Sequence, residues 1–204
     1  RFLLSIGDCA FLDCRMLGHI DFPEGLTTIG NNAFSSCPKL TGALLPETAL
    51  ELGTGIFRNC PLISEIHLPT GLTAIPDSIY SGCSGITGAI TIPNTITSLG
   101  PSAFGYCTGI TELSVPVDLD YTHAFQGCSN IRTLHYLKGK SGRMADHTGD
   151  DYKSSLEYAI RQTLETVTFE SGITHIGSYT FYAYDSRDGA GGNNRGILKN
   201  VSLP

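Results

Sequence analysis

Seven cysteines are the residues with the most varied possible chemistry in this sequence, because a thiol can ligate a metal, form a disulfide or act as a nucleophile. Six of them recur at intervals of 21 to 24 residues, so there is no Cys-x-x-Cys pair and no zinc-type spacing. At one position of a repeating structure their side chains point the same way, which disfavours disulfides. We therefore predict a buried ladder of free thiols that act as small hydrophobic side chains. The six are Cys14, Cys37, Cys60, Cys83, Cys107 and Cys128.

Histidines and carboxylates offer a second possible chemistry. The six histidines are scattered, and G-x-S-x-G, H-E-x-x-H and phosphate-loop motifs do not occur. One cluster, comprising Asp146, His147, Asp150 and Asp151, carries ligand types that suit a cation but does not fit EF-hand spacing, and a hydrated loop is the favoured interpretation. We predict no cofactor, no bound metal and no enzymatic activity, with an enzyme site at the 138–163 insertion as a remote alternative.

Charge and hydropathy argue against nucleic acid and membranes as partners of this chain. Thirteen basic against nineteen acidic residues give a formal charge of −6, which argues against binding to nucleic acid or to an anionic membrane surface. No apolar run approaches the roughly 18 residues needed to cross a bilayer, so direct membrane insertion of this segment is not expected. The sequence opens and closes within a repeat, and we expect it to be a piece of a longer chain.

An internal repeat with a period of about 23 residues organises most of the sequence. An aromatic residue recurs every 21 to 24 residues, always three positions before a repeat cysteine. Prolines recur at intervals of 23 or 24 residues, each after two apolar residues that are separated by one position. The aromatic series is Phe11, Phe34, Phe57, Tyr80, Phe104 and Phe125, and the proline series is Pro23, Pro46, Pro69, Pro93 and Pro116.

Each part of the unit predicts a local structure. The Leu-x-Leu-Pro alternation indicates one short strand per coil, ended by the proline. The glycine of the following Ile-Gly pair suits a backbone position with positive φ. The Ala-Phe-x-x-Cys stretch suggests a helical turn or short 3₁₀ segment with Phe and Cys pointing inward. Because one coil has too little apolar surface to fold alone, the coils must stack, and the sequence predicts a repeat solenoid.

These motifs resemble the BspA-like, or Treponema pallidum-type, leucine-rich repeat family. The resemblance runs through residues 1–137 and resumes at 164–169, 172–177 and 198–204. It implies a right-handed leucine-rich repeat coil with short parallel β-strands and short helical or 3₁₀ turns. It also implies a non-catalytic bacterial module, secreted or at the cell surface, that binds a protein or glycan ligand in adhesion or host interaction. A rigid spacer that presents another domain of a longer surface protein is the alternative.

We expect a single domain over residues 1–204. Regular coils occupy 1–137, a charged insertion with a short helix occupies 138–163, and disrupted terminal repeats with a glycine-rich loop at 185–196 occupy 164–204. The candidate helix carries Tyr152, Leu156 and Ile160 on one stripe, and its charged surroundings indicate a solvated protrusion or a lid.

The residues between the inward-facing apolar positions of the strands form the candidate binding surface. That row is mixed and lightly acidic, so an ordinary solvated face and a face for a protein or glycan both stay open. The candidate binding residues are Asp21, Glu65, His67, Glu112, Ser114, Thr133 and His135.

Overall fold

The computed structural model describes residues 2–121, 123–146, 156, 160, 162–178, 180–181 and 198–204. Within them the chain forms ten short strands that pair in parallel between successive coils. The strands are β1 (Ser5–Ile6), β2 (Thr28–Ile29), β3 (Glu51–Leu52), β4 (Ala74–Ile75), β5 (Gly88–Thr91), β6 (Ser98–Leu99), β7 (Ile110–Pro116), β8 (Thr133–Leu137), β9 (Thr166–Phe169) and β10 (Asn200–Ser202).

The Leu-x-Leu segments of successive coils lie side by side on one surface, which we call the strand face. Its C-terminal half is a five-stranded sheet in the order β10-β9-β8-β7-β5. We number the coils by their strand-face segments: 17–23 (coil 1), 40–46 (coil 2), 63–69 (coil 3), 86–93 (coil 4), 110–116 (coil 5), 131–137 (coil 6) and 164–170 (coil 7).

A second ladder, which the repeat pattern did not predict, runs along another side of the coils. It is built from two-residue strands in the orders β1-β2-β3 and β4-β6, which end directly before the glycine of the repeat or, in β4, before Pro76. The predicted strand in the Leu-x-Leu segment forms from coil 4 onward, whereas in coils 1 to 3 that segment is not a strand and the strands lie in the second ladder. The second residue of each two-residue strand points inward, with Ile29 buried and Leu52 partly buried, but two residues are too few to show a period of two in the sequence.

The aromatic segments are built from successive turns, and the expected helical or 3₁₀ segment is not formed in the described coils. Asn32 (φ 53°) and Ser36 (φ 59°) flank Phe34 in the left-handed region, which interrupts any helix. The Phe34 N–H donates to Ile56 O of the next coil at 2.9 Å, whereas the Ser35 N–H donates back to Asn32 O at 3.1 Å. Alternate N–H groups thus join neighbouring coils, which a helix does not permit.

The glycine of the Ile-Gly pair is required by stacking, and the expected positive φ is not found there. Gly30, Gly53 and Gly100 all have negative φ. A Cβ added at any of the three would come within 2.2 to 2.5 Å of an atom of the preceding coil. The backbones of successive coils approach too closely at this position for a side chain to fit.

Positive φ does occur in a strand-face segment, at Gly88 (φ 78°). The register between β5 and β7 shifts at Gly88/Ala89, which marks a β-bulge. The bulge accounts for the one proline interval of 24 residues in place of 23, because it absorbs the extra residue without moving the inward positions.

The core is a continuous stack along the solenoid axis. Six aromatic rings, from Phe11 to Phe125, stack with successive centroids 5.0 to 5.8 Å apart. The predicted ladder of free thiols is confirmed for five of the six repeat cysteines, and Cys14 is free but only partly buried. Cys37 to Cys128 are buried and unpaired, and each thiol donates to the carbonyl of an aromatic residue in a preceding coil at 3.0 to 3.2 Å. Burial raises the pKa of Cys60, Cys83 and Cys128 to about 12, which keeps these thiols protonated and unreactive.

The described part of the 138–163 insertion is tied to the core. Leu156 and Ile160 are helical and buried, as the predicted stripe requires. The Thr163 hydroxyl then donates to Ile131 O of coil 6 at 2.7 Å. Tyr152 and the loop at 185–196 lie outside the described residues. The described part of the chain has no helix of the length and apolarity needed to span a membrane.

Tyr80→Phe is expected to stabilise the protein. Tyr80 takes the phenylalanine position of the stack, and its hydroxyl is buried without a hydrogen-bond partner among the described residues. Since a buried unsatisfied polar group costs about 1–3 kcal/mol, the substitution should raise the free energy of unfolding by about 1–2 kcal/mol in urea titrations. Tyr106→Phe is the control, because that side chain is exposed and its hydroxyl is hydrated. Equal effects of the two substitutions would contradict the argument.

Candidate functional site

The seven predicted binding residues all lie on the strand face, but the structure divides them into two groups. Asp21, Glu65 and His67 belong to coils 1 to 3, where the strand-face segments are not assigned as strands. Glu112, Ser114, Thr133 and His135 belong to β7 and β8 of the five-stranded sheet. The two groups have different geometry and are described separately.

The second group is centred on His135. Its Nε2 lies 3.1 Å from Glu112 Oε1, and its Nδ1 makes a short contact with Thr168 Oγ1 in β9. Ser114, His135 and Thr168 are register partners across three strands. The order of acid, imidazole and hydroxyl resembles that of hydrolytic triads. Here, however, the hydroxyl sits within a strand that is paired on both sides, so the cluster cross-links the ladder.

Thr168 was missed by the sequence argument, although the repeat contained a signal for it. Val167-Thr168-Phe169 aligns with Leu134-His135-Tyr136, which gives Thr168 the same outward position as His135. Since the repeat resumes at residues 164–169, the position of Thr168 between two inward apolar residues was the available signal.

Two residues of the first group, Asp21 and Glu65, line a shallow groove of about 330 Å³ that crosses coils 1 to 3, and His67 lies outside its lining. Asp21 is exposed and its Oδ1 lies 2.8 Å from His19 Nε2. Glu65 is exposed and makes no hydrogen bond or ion pair within the described residues, so its carboxylate is free to meet a ligand. The lining residues are His19, Ile20, Asp21, Phe22, Thr41, Gly42, Ala43, Leu44, Ser64 and Glu65.

Glu47 borders this face and was also missed. Its carboxylate accepts hydrogen bonds from the Thr70 N–H at 2.8 Å and the Thr70 hydroxyl at 2.9 Å, and lies 2.8 Å from His67 Nε2. The hydrogen bonds from Thr70, backbone first, hold the pKa of Glu47 below its usual value, with a smaller effect from His67. Glu47 therefore stays ionised and holds His67 in place. An acidic residue directly after the proline, as in Glu24 and Glu47, was the available signal.

The strand-face segment of coil 3 is not hydrogen-bonded through its backbone to the segments of coils 2 and 4. Residues 40–92 are all described, yet no backbone hydrogen bond joins segment 40–46 to 63–69, or 63–69 to 86–92. Coils 1 and 2 are joined by Ile20 N–H to Gly42 O (3.3 Å) and Thr41 N–H to Gly18 O (3.0 Å). Within the described residues, the backbone between Ser64 and Leu68 therefore has no hydrogen-bond partner in either neighbouring coil.

Coil 3 is also less well covered than its neighbours. Its inward side chains Ile66 and Leu68 are only partly buried, whereas Leu113 and Val115, at the same positions in coil 5, are fully buried. On coil 2, Leu44 points outward with 49% of its surface exposed. The face therefore carries accessible apolar surface beside its unpaired peptide groups.

The charge of the strand face changes along the solenoid. Residues 17–24, 40–47 and 63–70 carry four carboxylates and no lysine or arginine. Nearer the C-terminal end the face includes cations as well: Arg132 of coil 6 and Lys199, directly before β10, both pair with Glu165 at 2.9 Å. The acidic character noted in the sequence is thus concentrated over coils 1 to 3. These acids are Asp21, Glu24, Glu47 and Glu65.

The acidic cluster near the insertion is described only at Asp146. Its Oδ1 accepts the Ser178 N–H at 2.6 Å and lies 3.5 Å from His175 Nε2. His147, Asp150 and Asp151 lie outside the described residues. Among the residues that are described, no group of three or more His, Cys, Asp or Glu side chains is arranged to hold a metal ion.

Stacked coils of about 23 residues, parallel strand ladders and a continuous aromatic core define a leucine-rich repeat solenoid. The chain belongs to the BspA-type leucine-rich repeat family, whose model matches six copies over residues 3–111 and 152–188.

Solved structures agree with this assignment. The leucine-rich repeat protein of T. pallidum is 27% identical over 64% of this chain and 62% of its own, with a TM-score of 0.58. A leucine-rich cell surface protein of Faecalibacterium prausnitzii A2-165 is 25% identical over 68% of this chain and 34% of its own, with a TM-score of 0.53. The chain thus spans less than two thirds of either relative. No curated protein matches the sequence significantly.

Proposed function

We propose that this chain is a non-catalytic binding module of a bacterial cell-surface or secreted protein, and that it binds a protein or glycan ligand through the strand face of coils 1 to 3. The observation that carries the proposal is the combination found there: unpaired peptide groups, accessible apolar side chains and an acidic groove. A surface location is supported by family membership and by the F. prausnitzii relative, which is described as a cell surface protein.

The His135 cluster takes a supporting part in this proposal. Glu112 and Thr168 already occupy both ring nitrogens of His135, so these groups are less available to a ligand than Asp21 and Glu65. Ser114 and Thr133 flank the cluster on the same face. They would extend the contact surface of a long ligand.

A binding screen with a matched pair of variants tests the proposal. The chain is immobilised and exposed to extracellular matrix proteins and to a glycan array. For any ligand found, Leu44→Lys should weaken binding about tenfold or more, because a central apolar contact becomes a charge. Leu50→Lys is the control: Leu50 is 48% exposed, close to the 49% of Leu44, but lies outside the groove.

The outcomes separate clearly. Loss of binding in Leu44→Lys alone supports the strand face as the site. Equal losses in both variants, or no binding by the parent chain to any ligand, contradict the proposal.

A rigid spacer is the second candidate, and the aromatic stack is the observation that favours it. Six rings in continuous contact and hydrogen bonds between successive coils resist bending. In this case Leu44→Lys should leave the function of the parent protein unchanged. Small-angle scattering of the chain should then give one extended envelope that does not depend on ionic strength.

A further inference from the structure

We infer that the side of the solenoid formed by the aromatic segments carries a second binding site, separate from the strand face, where Tyr106 stacks on an uncharged pyranose sugar of a glycan. The sugar lies over a glycine-lined gap between Asn59 and Tyr106. This site goes beyond the proposed function, and neither site depends on the other.

Tyr106 is an outlier in the row of residues that directly precede the repeat cysteines, which we call the pre-cysteine row. All six members have positive φ, between 57° and 79°. Glycine, asparagine and aspartate tolerate this left-handed backbone, whereas a bulky side chain is unusual there. Since strained backbone positions cluster at functional sites, the large side chain at this position indicates a role for the ring. The row consists of Asp13, Ser36, Asn59, Gly82, Tyr106 and Gly127.

The Tyr106 ring is held in place but not covered. The Tyr106 N–H donates to Gln126 O at 2.7 Å, and the ring lies over Gly127, where an added Cβ would be 2.5 Å from a ring atom. Tyr106 is nevertheless 56% exposed. In the preceding coil the row holds Gly82, which has no side chain that could cover the ring. A rigid, amphipathic ring is thus available for contact at a low cost in conformational entropy.

Glycines beside Tyr106 form the floor of a shallow gap. The Asn59 N–H donates to Ser81 O and the Gly82 N–H donates to Gly105 O, both at 2.7 Å, which places these segments side by side. Asn59 and Tyr106 lie two coils apart, and the core rings of these coils are spaced by 5.5 Å at each step. Since a sugar in van der Waals contact needs about 3.5–4.0 Å from the surface on which it stacks, the gap has room for one sugar ring.

The polar groups around the gap suit sugar hydroxyls. The Asn59 side-chain oxygen reaches over Gly82, to 2.7 Å from the position that a Cβ would take there. Asn59 and Gln126 are exposed, and their side-chain amides make no hydrogen bond within the described residues. An amide can donate to one hydroxyl and accept from another, so two walls of the gap offer both kinds of hydrogen bond.

The low charge of this side favours an uncharged sugar. The four aromatic segments around the gap contain no aspartate or glutamate, although the chain has a net charge of −6. Arg58 is their single lysine or arginine. Amides, glycines and one exposed ring supply hydrogen bonds and stacking with little ionic attraction, which matches a neutral pyranose. The segments are residues 55–62, 78–85, 102–109 and 123–130.

The test uses the full chain with the methyl glycosides of glucose, galactose, mannose and N-acetylglucosamine, and with a glycan array that extends this panel. We expect saturation-transfer NMR to show that at least one glycoside contacts the protein. Transfer should be strongest to the C–H groups on one face of the sugar, because that face lies on the ring. The affinity of an oligosaccharide found on the array is then measured by titration calorimetry.

Two substitutions at Tyr106 separate binding from packing. Tyr106→Asn removes the ring and should weaken binding about tenfold or more, as expected for a central aromatic contact. The Tm should stay equal or rise, because asparagine tolerates the left-handed backbone, as Asn59 does in the same row. Tyr106→Phe keeps the ring and should bind within about threefold of the parent. Phe2→Asn is the control, since it removes an exposed ring outside the gap and should leave the affinity unchanged.

Gly82→Asn fills the gap while the Tyr106 ring stays in place. Asparagine tolerates the positive φ at this position, and the atom nearest to its Cβ is the end of the flexible Asn59 side chain. We expect loss of sugar binding with a Tm close to that of the parent. This variant decides the question if Tyr106→Asn lowers the Tm.

Three results overturn the inference: unchanged affinity in Tyr106→Asn or Gly82→Asn, an equal loss in Phe2→Asn, and no binding of the parent chain to any sugar of the panel. None of them bears on a protein ligand of the strand face, which Leu44→Lys tests. A sugar that is lost in Leu44→Lys but kept in Tyr106→Asn would support the proposed function and overturn the second site.

Discussion

Phe57→Ala is expected to lower the free energy of unfolding by about 3–5 kcal/mol, the usual cost of truncating a buried phenylalanine. Phe57 is fully buried and its ring stacks on Phe34 and Tyr80, at 5.8 and 5.5 Å between centroids. In a quasi-one-dimensional array each coil is stabilised by its neighbours, so a gap in the middle also weakens the coupling between the two halves. Urea unfolding followed by circular dichroism measures the effect, and a second transition would show that the halves have separated.

Phe11→Ala is the matched control for this prediction. Phe11 has the same place in the repeat, but among the described residues its ring stacks only on Phe34, and it is 38% exposed. Its truncation should cost about 1 kcal/mol or less, because little of the side chain leaves a packed environment. Similar losses for the two variants would mean that the stack does not carry the stability of the solenoid.

Gly53→Ala is expected to lower the free energy of unfolding by about 1–3 kcal/mol, because the added methyl group overpacks the contact between two coils. This is the opposite of the usual effect, since alanine stabilises most extended or helical segments relative to glycine. A Cβ at position 53 would lie 2.5 Å from Asn31 N and 2.6 Å from Gly30 C, both of which are backbone atoms of the preceding coil. Backbone atoms cannot rotate away, so the coils must separate and the hydrogen bond from Gly53 N–H to Ile29 O (2.8 Å) is strained.

Gly7→Ala provides the control at the same position of the repeat. A Cβ there meets nothing within 4 Å. We expect a change of less than about 0.5 kcal/mol, as for other surface substitutions. Thermal unfolding of the two alanine variants measures the difference. If Gly53→Ala were as stable as the parent, close stacking would not be the reason for the glycine.

The regular coils could be predicted from the sequence because the stacking interactions repeat with it. The rings and thiols of the core recur in one register, and the structure places them in one stack, as at Phe57 and Cys83. The role of the Ile-Gly glycine could not be predicted, because the clash that excludes a side chain at Gly53 comes from residues 22 and 23 positions earlier. A residue pattern shows that glycine is needed, but it does not show which of several reasons applies.

The candidate site could also be predicted only in part from the sequence. The outward positions of the strand segments follow from a period of two, so Asp21, Glu65 and His135 could be assigned to one face of the solenoid. Hydrogen bonding between coils does not follow from that period. The strands around His135 and the segment of coil 3 have similar Leu-x-Leu sequences. The strands are hydrogen-bonded to the neighbouring coils through their backbones, whereas the segment of coil 3 is not.

The sequence by itself determined the solenoid, its period, its family resemblance and the row of side chains that faces solvent, because each depends on local patterns repeated many times. Only the tertiary structure decided that the acidic groove and the unpaired peptide groups lie together over coils 1 to 3, while His135 is held by Glu112 and Thr168 within a paired ladder. The physical reason is that hydrogen bonding between coils joins residues about 23 positions apart in the chain, whereas the alternation of two that the sequence shows is local and is similar in paired and unpaired coils.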